Sequence, residues 1–178
     1  LKVENQHNNQ LIKRCKKGDQ AAQFEIYKLY YKAMYNTAHR IVGDKFEAED
    51  IMQDSFLAAF TKLDSFSENV SFGAWLKRIV VNNSITSIKK NSRLDVVPLE
   101  KVEVKLSDEK TESFEPVNAA QILNKVSQLK TNYKVALTLN LIEGYDYEEI
   151  AQIMEISYEN SRTTVSRAKN KLRQLLVQ

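Results

Sequence analysis

Residues 146–176 read DYEEIAQIMEISYENSRTTVSRAKNKLRQLL. The stretch spells a short helix, a tight turn and a longer basic helix, which together read as helix-turn-helix. Ile150, Ala151, Ile153 and Met154 share an inward face of the first helix, and Ile156 enters the turn as an apolar plug. Ser157 stands where a side-chain oxygen can accept from the free N–H groups of a new helix, so the second helix starts at about Tyr158. Its inward stripe is Val165, Ala168, Leu172 and Leu175 or Leu176, spaced by threes and fours. The other face carries Arg162, Thr163, Ser166, Arg167 and Lys169. A basic helix studded with small hydroxyls suits the DNA major groove, where Arg reads guanine edges and the remaining groups hold phosphate. The plainer alternative is a solvated surface helix in a bundle.

Composition points the same way. A chain of 178 residues suits one or two small domains, and 43% hydrophobic residues supply a modest core in each. Four Gly, two Pro and few alternating Val or Ile runs predict mostly helix. The net charge of +3 conceals a strong asymmetry. From Leu76 to Arg93 stand Lys77, Arg78, Lys89, Lys90 and Arg93 with no acid, and from Ser157 onward five Lys or Arg face only Glu159. Two basic patches separated by an acidic stretch predict contact with a polyanion at two places. The single cysteine, Cys15, excludes an internal disulfide and suits a reducing cytoplasm. Neither a membrane span nor a signal peptide is indicated, so no membrane insertion is expected. The chain begins at Leu1 instead of Met, and a few residues are expected to precede it.

Along the chain, the polar segment to Gln10 is expected to be loose, with helical periodicity starting near Leu11 and breaking at Gly18 and Asp19. It resumes through Phe24, Tyr27, Tyr31, Met34, Ala38 and Ile41, and stops at Gly43. A further helix is expected from Phe46 to Leu63, with Ile51, Met52, Phe56, Ala59, Phe60 and Leu63 as its apolar side. A loop follows from Asp64 to Ser71. The next helix starts near Phe72, continues to about Lys90 and buries Phe72, Trp75, Leu76 and Ile79. Residues 94–116 contain seven acids, three lysines and both prolines without a helical stripe, which predicts a disordered linker. Helices return from Val117 to about Leu129 and from Asn132 to Ile142, the second closed by Gly144, ahead of the helix-turn-helix. The fold class is thus all-α: two small helical domains, residues 11–93 and 117–178, joined by a flexible acidic linker. The second domain can bury only a small core.

The run GDKFEAEDIMQDSFLAAFTKLDSF, followed by FGAWLKRIVVNNSI and then by LNLIEGYDYEEIAQIMEIS and SRAKNKLR, resembles the extracytoplasmic-function (ECF) class of bacterial sigma-70 family factors. The resemblance spans nearly the whole chain, and its combination of three motifs is more specific than any one of them. It implies a sigma-2 domain, for polymerase binding and recognition and melting of the −10 element, and a sigma-4 domain for the −35 element. In the family, the helix bearing the AED motif docks on the β′ clamp helices of RNA polymerase. The matching positions are Glu49, Asp50, Gln53, Asp54 and Phe56, where the spacing sets carboxylate and amide on one face. Without the resemblance, a solvated acidic face would be the better reading. The β flap of the polymerase, promoter DNA and an anti-sigma factor are the other partners that the resemblance implies.

The loop from Asp64 to Ser71 and the helix after it match the family's element for promoter opening. Phe66, Asn69 and Phe72 are candidates to line a pocket for an extruded base, while Arg78, Asn82 and Lys89 recur along one polar face that is expected to lie opposite Trp75 and Ile79. Asn82 falls where the family uses an Asn against the −10 element. Trp75 reads as core. In the C-terminal helix the match is partial, with Ser161 where the family buries Val and Thr164 where it has Arg. By position, Arg162, Thr163, Ser166, Arg167 and Lys169 are the expected −35 contacts.

Two rival classes weaken on the residues. A stand-alone helix-turn-helix regulator needs a dimerisation seam or ligand domain, and the first hundred residues offer neither a heptad seam nor an evident sensor pocket. An enzyme on nucleic acid needs a catalytic kit. His7 and His39 are isolated, Cys15 has no partner, and no Gly-rich phosphate loop or metal-ligand spacing occurs, so no cofactor or metal is expected.

Overall fold

The computed structural model describes residues 2–67, 69–91 and 118–177, with side chains from Asn8 onward. Every regular element among them is a helix. They form two compact units. The first is built on α1 (Lys2–Lys16), α2 (Gln20–Val42), α3 (Lys45–Thr61) and α4 (Phe72–Lys90), and the second on α5 (Ala119–Ser127), α6 (Thr131–Leu137), the start of α7 (Tyr147–Met154) and α8 (Tyr158–Leu176), with Gln152–Glu155 grouped with the first. The expected linker, residues 94–116, lies outside the described residues.

Side-chain caps start the helices of the first unit. Asp19 accepts from the Ala22 N–H at 3.1 Å, Asp44 from Glu47 at 2.9 Å and Ser71 from Ala74 at 3.2 Å. At the other end of α2, Gly43 has φ 87°, a left-handed stop that an L side chain would resist. α1 begins at Lys2, so the segment expected to be loose is helical. It is seated by Leu11, Ile12 and Cys15, all buried, and burial pushes the Cys15 thiol pKa up.

α2 packs against α1, α3 and α4, and α3 against α4. This arrangement corrects the expected phase of α2. Its core side is Ala22, Ile26, Met34, Thr37, Ala38 and Ile41, whereas Phe24 is 61% exposed and Tyr31 is also exposed. With helices on several sides, α2 turns its smaller residues to the contacts. Phe24 instead lies beneath the Lys28 ammonium, 4.9 Å from the ring centroid.

Polar ties set the rotation of α4 on α3. Asn83 donates to Ser55 Oγ at 2.9 Å, and Ser55, fully buried, donates to the Ile51 carbonyl at 2.6 Å. At the far end Glu47 accepts from Ser87 Oγ at 2.6 Å and from Asn91 at 3.3 Å. Each removes a buried or half-buried polar group from the unsatisfied account, so sliding or turning α4 would cost hydrogen bonds.

In the second unit Asn118 and Gln121 form a capping box at α5. Val126, Leu129, Leu137, Ala168 and Leu172 make the core cluster, with Ile122, Tyr133, Leu175 and Leu176 packed against it. The helix expected from Asn132 to Ile142 ends as α6 at Leu137 and continues as one π turn, Thr138–Ile142, before Gly144 at φ 81°. Asp146 and Glu149 then exchange bonds, each side chain accepting from the other's backbone N–H at 2.8 and 3.0 Å, to open α7.

Candidate functional site

Three surfaces carry the residues singled out by the sequence. On α3, burial of Ala48, Ile51, Met52, Ser55, Phe56 and Ala59 turns Glu49, Asp50, Gln53 and Asp54 to solvent. Phe56 is the exception to the expected docking set. It is 3% exposed and its ring lies 4.9 Å from that of Tyr27, so it holds α3 on α2 and cannot touch a partner. The apolar groups that do face outward are Phe46, 80% exposed, and Leu57, 66% exposed. They stand four residues before and seven after Asp50, on the same helical face. At 1.5 Å per residue they bracket the carboxylates and amide about 17 Å apart. The spacing 46, 50, 53, 54, 57 was the signal for them in the sequence.

At the second surface, the chain after α3 makes one short 3-10 turn, Leu63–Ser65, and returns to α4 over an aromatic cluster. Phe66 and Phe72 meet edge to face at 5.6 Å, and Trp75 lies 5.2 Å from Phe66 and 5.7 Å from Phe72. Phe66 and Phe72 are buried, yet with Ile12 and Val70 they wall a cavity of about 250 Å³. Its polar groups include Asn69 and Ser71 from the loop, Tyr30 from α2, and Asn8 and Asn9 from α1. Gly73 lets Tyr30 come close, since a Cβ there would lie 2.9 Å from the Tyr30 ring. Burial raises the Tyr30 phenol pKa, and the hydrogen bond donated by the Asn8 amide, 3.1 Å, opposes that rise. The contribution of α1 to this cavity escaped sequence reading, because Asn8 and Asn9 belong to no motif.

With Asn83 tied inward to Ser55, its neighbour Asn82 points to solvent, on one ridge with exposed Arg78 and Thr86. Lys89 is half-buried further along. Trp75 and Ile79 are half-buried and do not lie opposite this ridge, as expected, but beside it: at about 100° per residue, Trp75 is only some 20° from Asn82 around the helix. The buried side of α4 is Phe72, Leu76, Val80, Val81, Ser84, Ile85 and Ile88.

The third surface is α8, capped by Ser157 accepting from Asn160 N–H at 3.2 Å. Arg162 and Ser166 are exposed, and Thr163, Arg167 and Lys169 are half-buried beside them. The Arg162 guanidinium sits over the Tyr158 ring at 5.9 Å, which holds a long cation in place at small cost. Ser161 and Thr164, where the sequence departs from the family pattern, are buried. Ser161 Oγ lies 2.7 Å from the Tyr147 carbonyl and 2.8 Å from that of Tyr158, tying α7 to α8. In the turn between them Glu155 takes φ 57°, and Ile156, half-buried, donates to the Ala151 carbonyl at 3.0 Å.

Comparison with known proteins bears on all three surfaces. Residues 26–94 match the Sigma-70 region 2 family and residues 119–172 match Sigma-70, region 4. The ECF RNA polymerase sigma factor SigW of Bacillus subtilis is 31% identical, over 93% of this chain and 94% of that protein. The chain belongs to the ECF family of sigma factors. The RNA polymerase sigma-H factor of Pseudomonas aeruginosa is 28% identical over 92% of this chain and 91% of its own. Among solved structures, the sigma factor RpoE of Bartonella quintana, in complex with the anti-sigma factor NepR, superposes with a TM-score of 0.57 at 26% identity, covering 85% of this chain and 94% of that one. This ECF sigma factor therefore serves transcription initiation. Its α3 and α4 lie within the region 2 match, α8 lies mostly within the region 4 match, and α1 precedes both.

Proposed function

We propose that this sigma factor grips core RNA polymerase with the outward face of α3, opens the −10 element with the loop before α4 and with α4 itself, and reads the −35 element with α8. The division of labour follows residues 11–93 and 117–178, with residues 94–116 as the connector. The observation that carries the reading is the α3 surface, where Asp50, Gln53 and Asp54 face solvent between Phe46 and Leu57. Exposed apolar side chains flanking charge suit a partner better than a merely solvated face does. The β′ clamp helices are the partner assigned to this face, with the β flap as a second polymerase contact.

For the −10 element, the cavity offers aromatic and aliphatic walls to one extruded base, and Arg78 and Asn82 line the approach for the strand. For the −35 element, Arg162 and Ser166 lead a face whose cations can hold phosphate and whose Arg can pair with a guanine edge. The solved complex of RpoE with NepR supports an anti-sigma factor as a further partner of this chain. No helix among the described residues is long and apolar enough to cross a membrane. The reading is tested by combining Asp50→Lys with Gln53→Ala. Both positions are exposed, so circular dichroism should stay unchanged while capture by core polymerase weakens. Equal polymerase affinity for the double variant and the wild type would refute the assignment.

A further inference from the structure

We propose that Asn8 and Asn9, on the N-terminal helix, read the edge of the base seated in the cavity beneath the loop, so that α1 takes part in choosing the −10 sequence. The proposal rests on the reading of that cavity as the seat of an extruded base. Three observations carry it. First, among the described residues none that lines the cavity is charged. Its occupant is therefore a neutral group, which fits a nucleobase and not the phosphate of the strand, since a buried anion without a cation would be costly.

Second, the walls and the polar groups do different work. Ile12, Phe66, Val70 and Phe72 supply flat or aliphatic contact, which tolerates any base because every base has a π-face. Discrimination needs side chains that donate and accept together, and an Asn amide does both in one plane. Asn69 is one such group, and α1 adds two more, Asn8 and Asn9.

Third, Asn8 is already positioned. Its Nδ2 donates to Tyr30 Oη at 3.1 Å, and the Tyr30 ring itself lies close to Gly73 and against Phe72, whose centroid is 5.6 Å away. A planar amide fixed at one hydrogen keeps its oxygen and second hydrogen in a set direction, which lowers the entropy lost on contact. Asn9, the next residue, is exposed and reaches the mouth of the cavity. Both precede residues 26–94, the stretch matched as Sigma-70 region 2, so that match does not reach them.

The test uses the full-length protein assembled with core RNA polymerase and a set of non-template single strands, each altered at one −10 position. Asn9→Ala, at an exposed site, and Asn8→Ala should each reduce the preference between the best and worst base at one and the same position by about tenfold, the scale of a lost base-edge contact. Preferences at the other positions and polymerase capture should not change. Val70→Trp, which crowds the cavity from an exposed loop position, should flatten the preference at that same position. Should Val70→Trp act there while Asn8→Ala and Asn9→Ala both keep wild-type preferences, the cavity holds a base but α1 does not read it, and the proposal fails. If Val70→Trp alters no preference, the base seat itself is wrong and the proposal falls with it. Thermal melting identifies any loss of fold in Asn8→Ala, in which case Asn9→Ala decides.

Discussion

Phe56→Ala and Leu57→Ala, at adjacent positions of α3, should fail in different ways. Leu57 is 66% exposed in the free protein. Fully burying a Leu side chain stabilises by roughly 1.5–3 kcal/mol, so about two thirds of that, ~1–2 kcal/mol, is still available at an interface. At about 1.4 kcal/mol per decade, Leu57→Ala should weaken polymerase binding roughly 5- to 30-fold. Folding should change by no more than ~0.5 kcal/mol, because little packing is lost. Phe56 is 3% exposed and packs on Tyr27 and Phe60. Its truncation should cost ~3–5 kcal/mol of stability, a large part of the ~5–15 kcal/mol that holds a small domain together. Titration of fluorescently labelled protein with core polymerase, paired with thermal unfolding, separates the two effects. The reasoning is wrong if Leu57→Ala binds as wild type, or if Phe56→Ala binds weakly while melting like the wild type.

Further consequences follow from α8 and the first unit. Ser161→Ala removes the hydroxyl that bridges α7 and α8 and should lower stability by ~0.5–1.5 kcal/mol, measured by denaturant unfolding of the whole chain. Arg162→Ala should cost ~1–3 kcal/mol on a −35 duplex with a guanine at the read position, whereas Lys169→Ala should weaken all duplexes alike and flatten the salt dependence; uniform loss in both would remove Arg162 from base reading. The carboxyl of Asp19 is held below its ordinary pKa, first by the Ala22 N–H and then by Arg14. Its charge therefore contributes stability that is fully present above the unfolded carboxylate value, near 3.8, and is lost as pH falls through the lower folded value. Asp19→Asn should melt earlier than wild type at pH 7 and converge with it in that acid range; a constant gap at all pH would contradict this account of the cap.

The helices with one clear stripe were legible in the sequence. α4 runs from Phe72 to Lys90 as expected because Ser71 caps it, and Gly43 and Gly144 mark turns that only a left-handed residue makes cheaply. The helix-turn-helix was equally plain from Ser157 and the stripe of Val165, Ala168 and Leu172. α3 was harder. Ile51, Met52, Phe56, Phe60, Phe46 and Leu57 spread over about 240° of its circumference at 100° per residue, so Phe56 read both as part of the apolar side, where it is buried, and as part of the docking motif. The same ambiguity misplaced Phe24 and Tyr31 on α2, where contacts with several helices choose the phase. The run before Leu11 carries no apolar stripe and is rich in Asn, a weak helix former, which hid α1 and its side of the cavity. Residues placed together only by tertiary packing, such as Asn8 and Tyr30, leave no local trace.

Strand opening tests the central claim most directly. Permanganate reactivity of unpaired thymines at the start site, on duplex promoter with core polymerase, should appear only when this protein is added. Asn82→Ala should retain polymerase binding yet reduce that reactivity by an amount worth ~1–3 kcal/mol, as for one base contact, and a pre-melted template should partly restore it. Normal opening by the Asn82 variant on duplex templates across several −10 sequences would contradict the role given to α4, and absence of any opening with the wild-type protein would contradict the account as a whole.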